Sequence, residues 1–153
     1  MPSIFGNDLD VRKAIEADLL HVKRLADAHR HELGFVLLPS LREQIERGEM
    51  LVAVLGDDLI GFVDYHRRKD GQITLYHIAV DPAAQHQGVG YALVGALEGV
   101  ARATNSSRIA LKCPVDLPAN QFYQGYGFRL GETLNGRKRP LNVWVLELEG
   151  DGL

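Results

Sequence analysis

The stretch Leu75-Tyr76-His77-Ile78-Ala79-Val80-Asp81-Pro82-Ala83-Ala84-Gln85-His86-Gln87-Gly88-Val89-Gly90-Tyr91-Ala92 decides the fold. It opens as an apolar run with β-branched members, breaks at Asp81-Pro82, and passes through a glycine-containing loop into an amphipathic pattern. That order predicts strand, loop and helix N-terminus. Gly88 and Gly90 remove the Cβ atoms that would keep an incoming group off the backbone. The first-turn amides of the helix that follows have no intrahelical partners, and the helix dipole favours negative charge there. The loop therefore reads as an anion cradle whose geometry needs no Lys or Arg.

Two other glycine-loop chemistries fail on residues. A dinucleotide fingerprint needs Gly-x-Gly-x-x-Gly, but the third position counted from Gly88 is Leu93. A P-loop needs Gly-Lys-Ser or Gly-Lys-Thr, and neither tripeptide occurs.

Outward from this stretch the chain resolves into alternating patterns. Upstream, a strand over 10–14 precedes a helical pattern over 18–33, with Asp18 at its cap, Val22, Leu25, His29 and Leu33 on one stripe, and Gly34 at its end. The apolar connection over 34–39 reads either as a buried loop or as a wall of an acceptor site. Ser40-Leu41-Arg42-Glu43 has the form of a capping box, and Gly48 is placed to end a short second helix. Strands follow over 50–55, 59–67 and 72–80, joined by turn sequences short enough for an antiparallel meander. Downstream of the loop, Val89, Leu93, Ala96, Leu97, Val100 and Ala101 make a helical apolar stripe. A strand over 108–112 then returns by helical crossover, which implies parallel pairing beside 72–80. A short helix over 118–124 with Pro118 in its first turn, and strands over 128–134 and 142–149, complete the pattern.

Composition bounds the class. The 153 residues are 46% hydrophobic and 24% charged, a balance suited to one globular domain spanning 1–153. A net charge of -3 argues against a nucleic-acid footprint spread over the surface. Cys113 is the single cysteine, so no intrachain disulfide is possible, which suits a reducing compartment. No stretch approaches the roughly 20 apolar residues of a membrane span, and the start lacks a secretory pattern. The expectation is a cytoplasmic protein without membrane partners. Edge strands at the chain's end make a homodimer a reasonable arrangement. His29 and His31 lack helical ligand spacing and a companion donor set, so no metal is expected.

The order Gln85-His86-Gln87-Gly88-Val89-Gly90 resembles the [Arg/Gln]-x-x-Gly-x-[Gly/Ala] loop of the GNAT acyltransferase superfamily, preceded as there by a strand ending Ile78-Ala79-Val80-Asp81-Pro82. Phe122-Tyr123-Gln124-Gly125-Tyr126-Gly127-Phe128 is similar to that family's Phe-Tyr-x-x-x-Gly-Phe segment, at a similar separation. The resemblance implies the GNAT fold: α/β, with a mixed, mostly antiparallel central sheet, a parallel splayed strand pair and flanking helices. It implies acetyl-CoA as cofactor, with pantetheine pairing along Ile78, Ala79 and Val80 where the parallel strands splay. Pyrophosphate contact falls to Gln85, His86, Gln87, Gly88, Val89, Gly90, Tyr91 and Ala92. The implied reaction is N-acetyl transfer to a small-molecule or peptide amine in a ternary complex; a non-catalytic acyl-CoA sensor is the rival reading.

Such transfer needs a base for the acceptor ammonium and a proton for the departing thiolate. Tyr123 matches the family's tyrosine facing the CoA sulfur, and a phenol, ordinarily with a pKa of about 10, can donate. The position where many members carry Asn is Asp116, which when ionised accepts but cannot donate; Asn120 is the substitute for that pantetheine contact. The glutamates used by the histone-acetylating and ribosomal-protein branches fall at Thr74 and Leu111, so neither base is present. Tyr76 shares a face with Thr74 by strand alternation and is the catalytic candidate there, whereas His77 reads as a packed residue on the other face. Asp64 and His66 lie on the neighbouring strand, and a water relay stays open. Cys113 reads as a buried thiol rather than a nucleophile.

Overall fold

The computed structural model describes residues 8–148; the end of the last expected strand, at 149, lies outside them. The elements are β1 (Leu9–Lys13), α1 (Leu19–Ala28), α2 (Arg30–Leu33), α3 (Leu38–Glu46), β2 (Met50–Leu55), β3 (Asp58–Arg67), β4 (Gln72–Val80), α4 (Val89–Ala103), β5 (Arg108–Pro114), α5 (Ala119–Tyr126), β6 (Arg129–Asn135) and β7 (Pro140–Glu147). Single 3-10 turns at Glu16–Asp18 and Pro82–Ala84 precede α1 and the glycine loop. The sheet has seven strands in the order β1-β2-β3-β4-β5-β7-β6, with β4 and β5 parallel. No helix among the described residues is long and apolar enough to cross a membrane.

The chain forms two compact units. One holds the residues up to Tyr65 together with His77–Leu97; the other holds His66–Tyr76 and the residues from Glu98 onward. In the first, β1, β2 and β3 make an antiparallel meander, with the β2–β3 register shifting between Ala53 and Val54, where Ile60 is the extra residue on β3. The apolar faces of α1 and α3 close over it. Val22 and Leu41 lose all solvent contact, and Leu25, Ile45, Met50, Val52 and Phe62 fill the same core. Each such side chain contributes about 1.5–3 kcal/mol by leaving water. Gly61 on β3 has a particular use: a Cβ there would lie 3.1 Å from Leu93 Cδ1, 3.2 Å from the Ala79 carbonyl oxygen and 3.3 Å from Val89 Cγ1. The first turns of α4 are thus seated directly on bare backbone.

In the second unit, β7 pairs antiparallel with β5 from Arg108↔Glu147 to Pro114↔Leu141 and with β6 from Arg129↔Val145 to Asn135↔Pro140. Ile109, Leu111, Cys113, Phe128 and Trp144 are buried. Arg67 donates to the Thr104 carbonyl at 2.8 Å, placing a cation at the carbonyl-rich end of α4.

Four local expectations need correction. The helix expected over 18–33 breaks at His29, whose φ is -108° and ψ 24°. There the His29 ring nitrogen Nδ1 bonds the Leu25 carbonyl at 3.1 Å, and the His29 amide donates to the Ala26 carbonyl at 3.1 Å. Asp18 does not cap α1; its carboxylate accepts from the Ile15 amide at 2.8 Å and from Arg12 at 2.8 and 3.1 Å, one turn earlier. The Ser40 capping box does not form, because α3 starts at Leu38 with Leu37 as N-cap and Pro39 in its first turn, leaving Ser40 inside the helix. The connection over 34–39 is not a buried loop either: Val36 is buried, but Phe35 and Leu37 are 81% and 64% exposed.

Asp18 shows how a buried carboxylate supports the fold. Hydrogen bonding from Arg12 holds its pKa below the ordinary carboxylate value, against the opposing effect of burial. A lowered folded pKa gives stability that is present above the unfolded value of about 3.9 and is lost as pH falls through the folded value. Asp18→Ala is expected to cost about 1–3 kcal/mol in urea unfolding at pH 7, and the difference from wild type should shrink as the pH falls through the lowered folded value.

Candidate active site

The glycine loop is pinned before it reaches its glycines. The Asp81 amide donates to Ile60 at 2.8 Å, the Asp81 carboxylate accepts from the Ala83 amide at 2.9 Å, and the Ala84 amide returns to the Asp81 carbonyl at 2.8 Å. The backbone then takes positive φ at His86 (63°) and Gly88 (89°). Coiled backbone of this kind forms amide-lined concavities for anions. The first intrahelical bond of α4 runs from the Ala92 amide to the Gly88 carbonyl at 3.0 Å, so the amides of Val89, Gly90 and Tyr91 precede the helical ladder. Val89 is 1% exposed and anchors the turn, while Gln85, His86 and Tyr91 are exposed. Gln85 uses its side chain inward: its amide nitrogen lies 3.2 Å from the Val80 carbonyl and 3.3 Å from His29 Nε2.

Strand β4 carries two irregularities. Its parallel ladder with β5 covers only Gln72↔Arg108, Ile73↔Ile109 and Thr74↔Ala110, although β4 runs on to Val80. Against β3, the Arg68 amide bonds the Gln72 carbonyl and the Asp81 amide bonds the Ile60 carbonyl, both at 2.8 Å. Between those bonds β4 advances one residue more than β3, which is a β-bulge. Tyr76 is half exposed, as expected for a side chain open to solvent. His77 does more than pack: its Nδ1 lies 2.8 Å from Asp64 Oδ1, a carboxylate whose side chain is 4% exposed. Sequence reasoning noted Asp64 and His77 separately and missed the pair, because it depends on a register that the bulge resets. Ala79 is buried, and Ile78 and Val80 are half-buried.

In the other unit, Tyr123 is 6% exposed, with its ring edge-on to Phe122 and Phe128 at centroid distances of 5.4 and 5.7 Å. Its hydroxyl has no hydrogen-bond partner among the described residues, yet no fully buried polar side-chain atom there lacks one. The hydroxyl therefore keeps a path to solvent. Burial, with Cys113 as a lesser cause, pushes its pKa well above the ordinary phenol value. It stays protonated through neutral pH.

Asn120 is internally satisfied. Its amide donates to the Pro114 and Leu117 carbonyls at 2.8 Å, and its oxygen accepts from Asn142 at 3.0 Å and from Trp144 at 2.8 Å. It ties α5 to β7, and it has little hydrogen-bonding capacity left for the pantetheine contact expected of it. Asp116 is exposed and paired with Arg139 at 3.3 Å.

The architecture is a seven-stranded mixed sheet with one short parallel pair and a glycine-containing loop at the N-terminus of the helix that follows β4. Residues 18–128 match the model of the acetyltransferase (GNAT) family, and the chain belongs to that family of acetyl-CoA-dependent acetyltransferases. No curated protein matches the chain. The fold is similar to that of Ard1 from Thermoplasma volcanium, with a TM-score of 0.84 and 20% identity over 93% of this chain and 99% of that one. It is similar also to N-acetylglutamate synthase from Neisseria gonorrhoeae complexed with coenzyme A and N-acetyl-glutamate, with a TM-score of 0.80 and 19% identity over 92% of this chain and 35% of that one. PaiA N-acetyltransferase from Thermoplasma acidophilum in complex with coenzyme A gives a TM-score of 0.78 and 16% identity over 92% and 99% of the two chains.

Cys113 is buried, and burial pushes its thiol up to about 11. Since the thiolate is the reactive form, iodoacetamide at pH 7.5 should alkylate Cys113 in the folded protein at least about a hundredfold more slowly than free cysteine, with a pKa of about 8.5. Mass spectrometry of a time course measures this.

Proposed function

We propose that the protein moves an acetyl group from acetyl-CoA to a primary amine of a small molecule or peptide by direct transfer in a ternary complex. The observation that carries this reading is the loop from Gln85 to Ala92, which presents helix-start amides through positive-φ backbone at His86 and Gly88. A pyrophosphate suits that cradle, with contacts along the backbone of Gln85, His86, Gln87, Gly88, Val89, Gly90, Tyr91 and Ala92. Pantetheine pairs with the backbone of Ile78, Ala79 and Val80, beyond the end of the β4–β5 ladder. A reducing cytoplasm suits a chain whose single cysteine is a free thiol.

In the reaction the acceptor ammonium first loses a proton. Asp64 and His77 supply base chemistry of a familiar kind, since a carboxylate at Nδ1 orients imidazole so that Nε2 can accept. Tyr76, exposed on the same strand, hydrogen-bonds the acceptor; a phenol arrives protonated and receives no proton directly. The amine then attacks the thioester carbonyl, the C–N bond forms and the C–S bond breaks. The departing thiolate takes its proton from Tyr123, whose hydroxyl is protonated and has no hydrogen-bond partner among the described residues, and the proton that the amine nitrogen loses as the amide forms returns through water to the phenolate.

Release of CoA thiol from acetyl-CoA with a panel of amines tests the function, and no release with any primary amine would overturn it. Tyr123→Phe keeps the ring and its packing, so kcat is expected to fall about 10²-fold with acetyl-CoA affinity unchanged. Turnover should rise with pH as the ammonium deprotonates. His77→Gln should lower kcat and steepen that rise, because solvent base then replaces imidazole. A pH-rate profile identical to wild type would remove His77 from the mechanism.

A further inference from the structure

His29 lies 9% exposed at the end of α1, outside every motif that marks the cofactor loop. Its hydrogen bonds leave one reading of its protons. A carbonyl can only accept, so the contact of Nδ1 with the Leu25 carbonyl at 3.1 Å places a hydrogen on Nδ1. In the neutral ring Nε2 then carries a lone pair, which faces the Gln85 amide nitrogen at 3.3 Å. Gln85 donates one hydrogen to His29 and the other to the Val80 carbonyl at 3.2 Å. The amide orientation follows too. Flipped, its oxygen would face the Val80 carbonyl and the His29 lone pair together, two repulsions in place of two bonds.

The network joins three places: the end of α1, the end of β4 and the first residue of the glycine loop. Asp81 and Ala84 are already pinned on the strand side by backbone bonds, so Gln85 is the last fixed point before the positive-φ residues His86 and Gly88. From the geometry we infer that His29 is a positioning residue for the cofactor loop, acting through Gln85, and that the Gln85 side chain braces the loop instead of touching phosphate. This rests on the acetyl-CoA reading above. It also gives the break in the first helix a use: the ring takes the Leu25 carbonyl that a continuous helix would give to the His29 amide, and that bond sets the ring toward Gln85.

The test compares His29→Phe, Gln85→Leu and the double variant by calorimetric titration with acetyl-CoA, with steady-state rates and amide exchange alongside. Loss of one neutral hydrogen bond at the loop should weaken acetyl-CoA binding about three- to tenfold in each single variant. The double variant should be no weaker than the worse single, because both changes remove one network. In His29→Phe, kcat at saturating acetyl-CoA should stay within twofold of wild type while KM for acetyl-CoA rises. Amides of residues 84–88 should exchange faster than in wild type. Gln85 is exposed, so Gln85→Leu reports on the loop even where His29→Phe perturbs the core. Wild-type affinity in both folded single variants, or losses that add fully in the double, would overturn the role of His29. A wild-type protein that binds no acetyl-CoA would instead overturn the underlying reading, and this role with it.

Discussion

The close approach of α4 to β3 at Gly61 is the contact on which the candidate cofactor loop depends. With a side chain at that position, Leu93, Val89 and the Ala79 carbonyl would have to give by a few tenths of an ångström, loosening the seat of the start of α4. Helix-start amides bind an anion only when they are held in place, since their field falls off within the first turn. The missing Cβ at Gly61, the buried side chain of Val89 and the bonds around Asp81 and Gln85 together hold that turn rigidly to a meander with its own core. The position of these amides is a property of packing as much as of glycine.

Buried polar groups divide into those the fold uses and those it leaves available. Asn120 uses its amide on two carbonyls and its oxygen on two donors, which secures α5 and β7 in their unit. Asp18 serves the fold likewise through Arg12 and the Ile15 amide. Tyr123 differs: its ring is packed among aromatics, yet its hydroxyl bonds to nothing in the described chain. A low-dielectric surround raises the phenol's pKa and strengthens any hydrogen bond it gives to a developing anion. The Asp64–His77 pair stands between these classes, with a buried carboxylate fixing a ring that remains partly open to solvent.

Local chemistry determined much of the fold by sequence alone. The apolar runs of β2, β3 and β4 between turn sequences, the apolar stripe of α4, and Gly34 and Gly48 at helix ends all produce the expected elements, since each needs only neighbouring residues. The backbone path of the loop over 85–92 was legible for the same reason: strand, positive-φ backbone and helix start are contiguous. The roles proposed for that loop and for Tyr123 come from the motifs, and the buried thiol expected at Cys113 is observed.

Tertiary structure decided the rest, wherever two distant segments compete for one hydrogen-bonding group. Whether His29 continues a helix depends on which donor takes the Leu25 carbonyl, and that involves Gln85, fifty-six residues away. Whether Asn120 meets a ligand depends on Trp144 and Asn142 reaching it first. Whether His77 meets Asp64 depends on how β4 pairs with β3, which the sequence of either strand does not state. A sequence states which groups can donate and accept; only the folded chain, where each buried hydrogen can serve few partners, settles which of them meet.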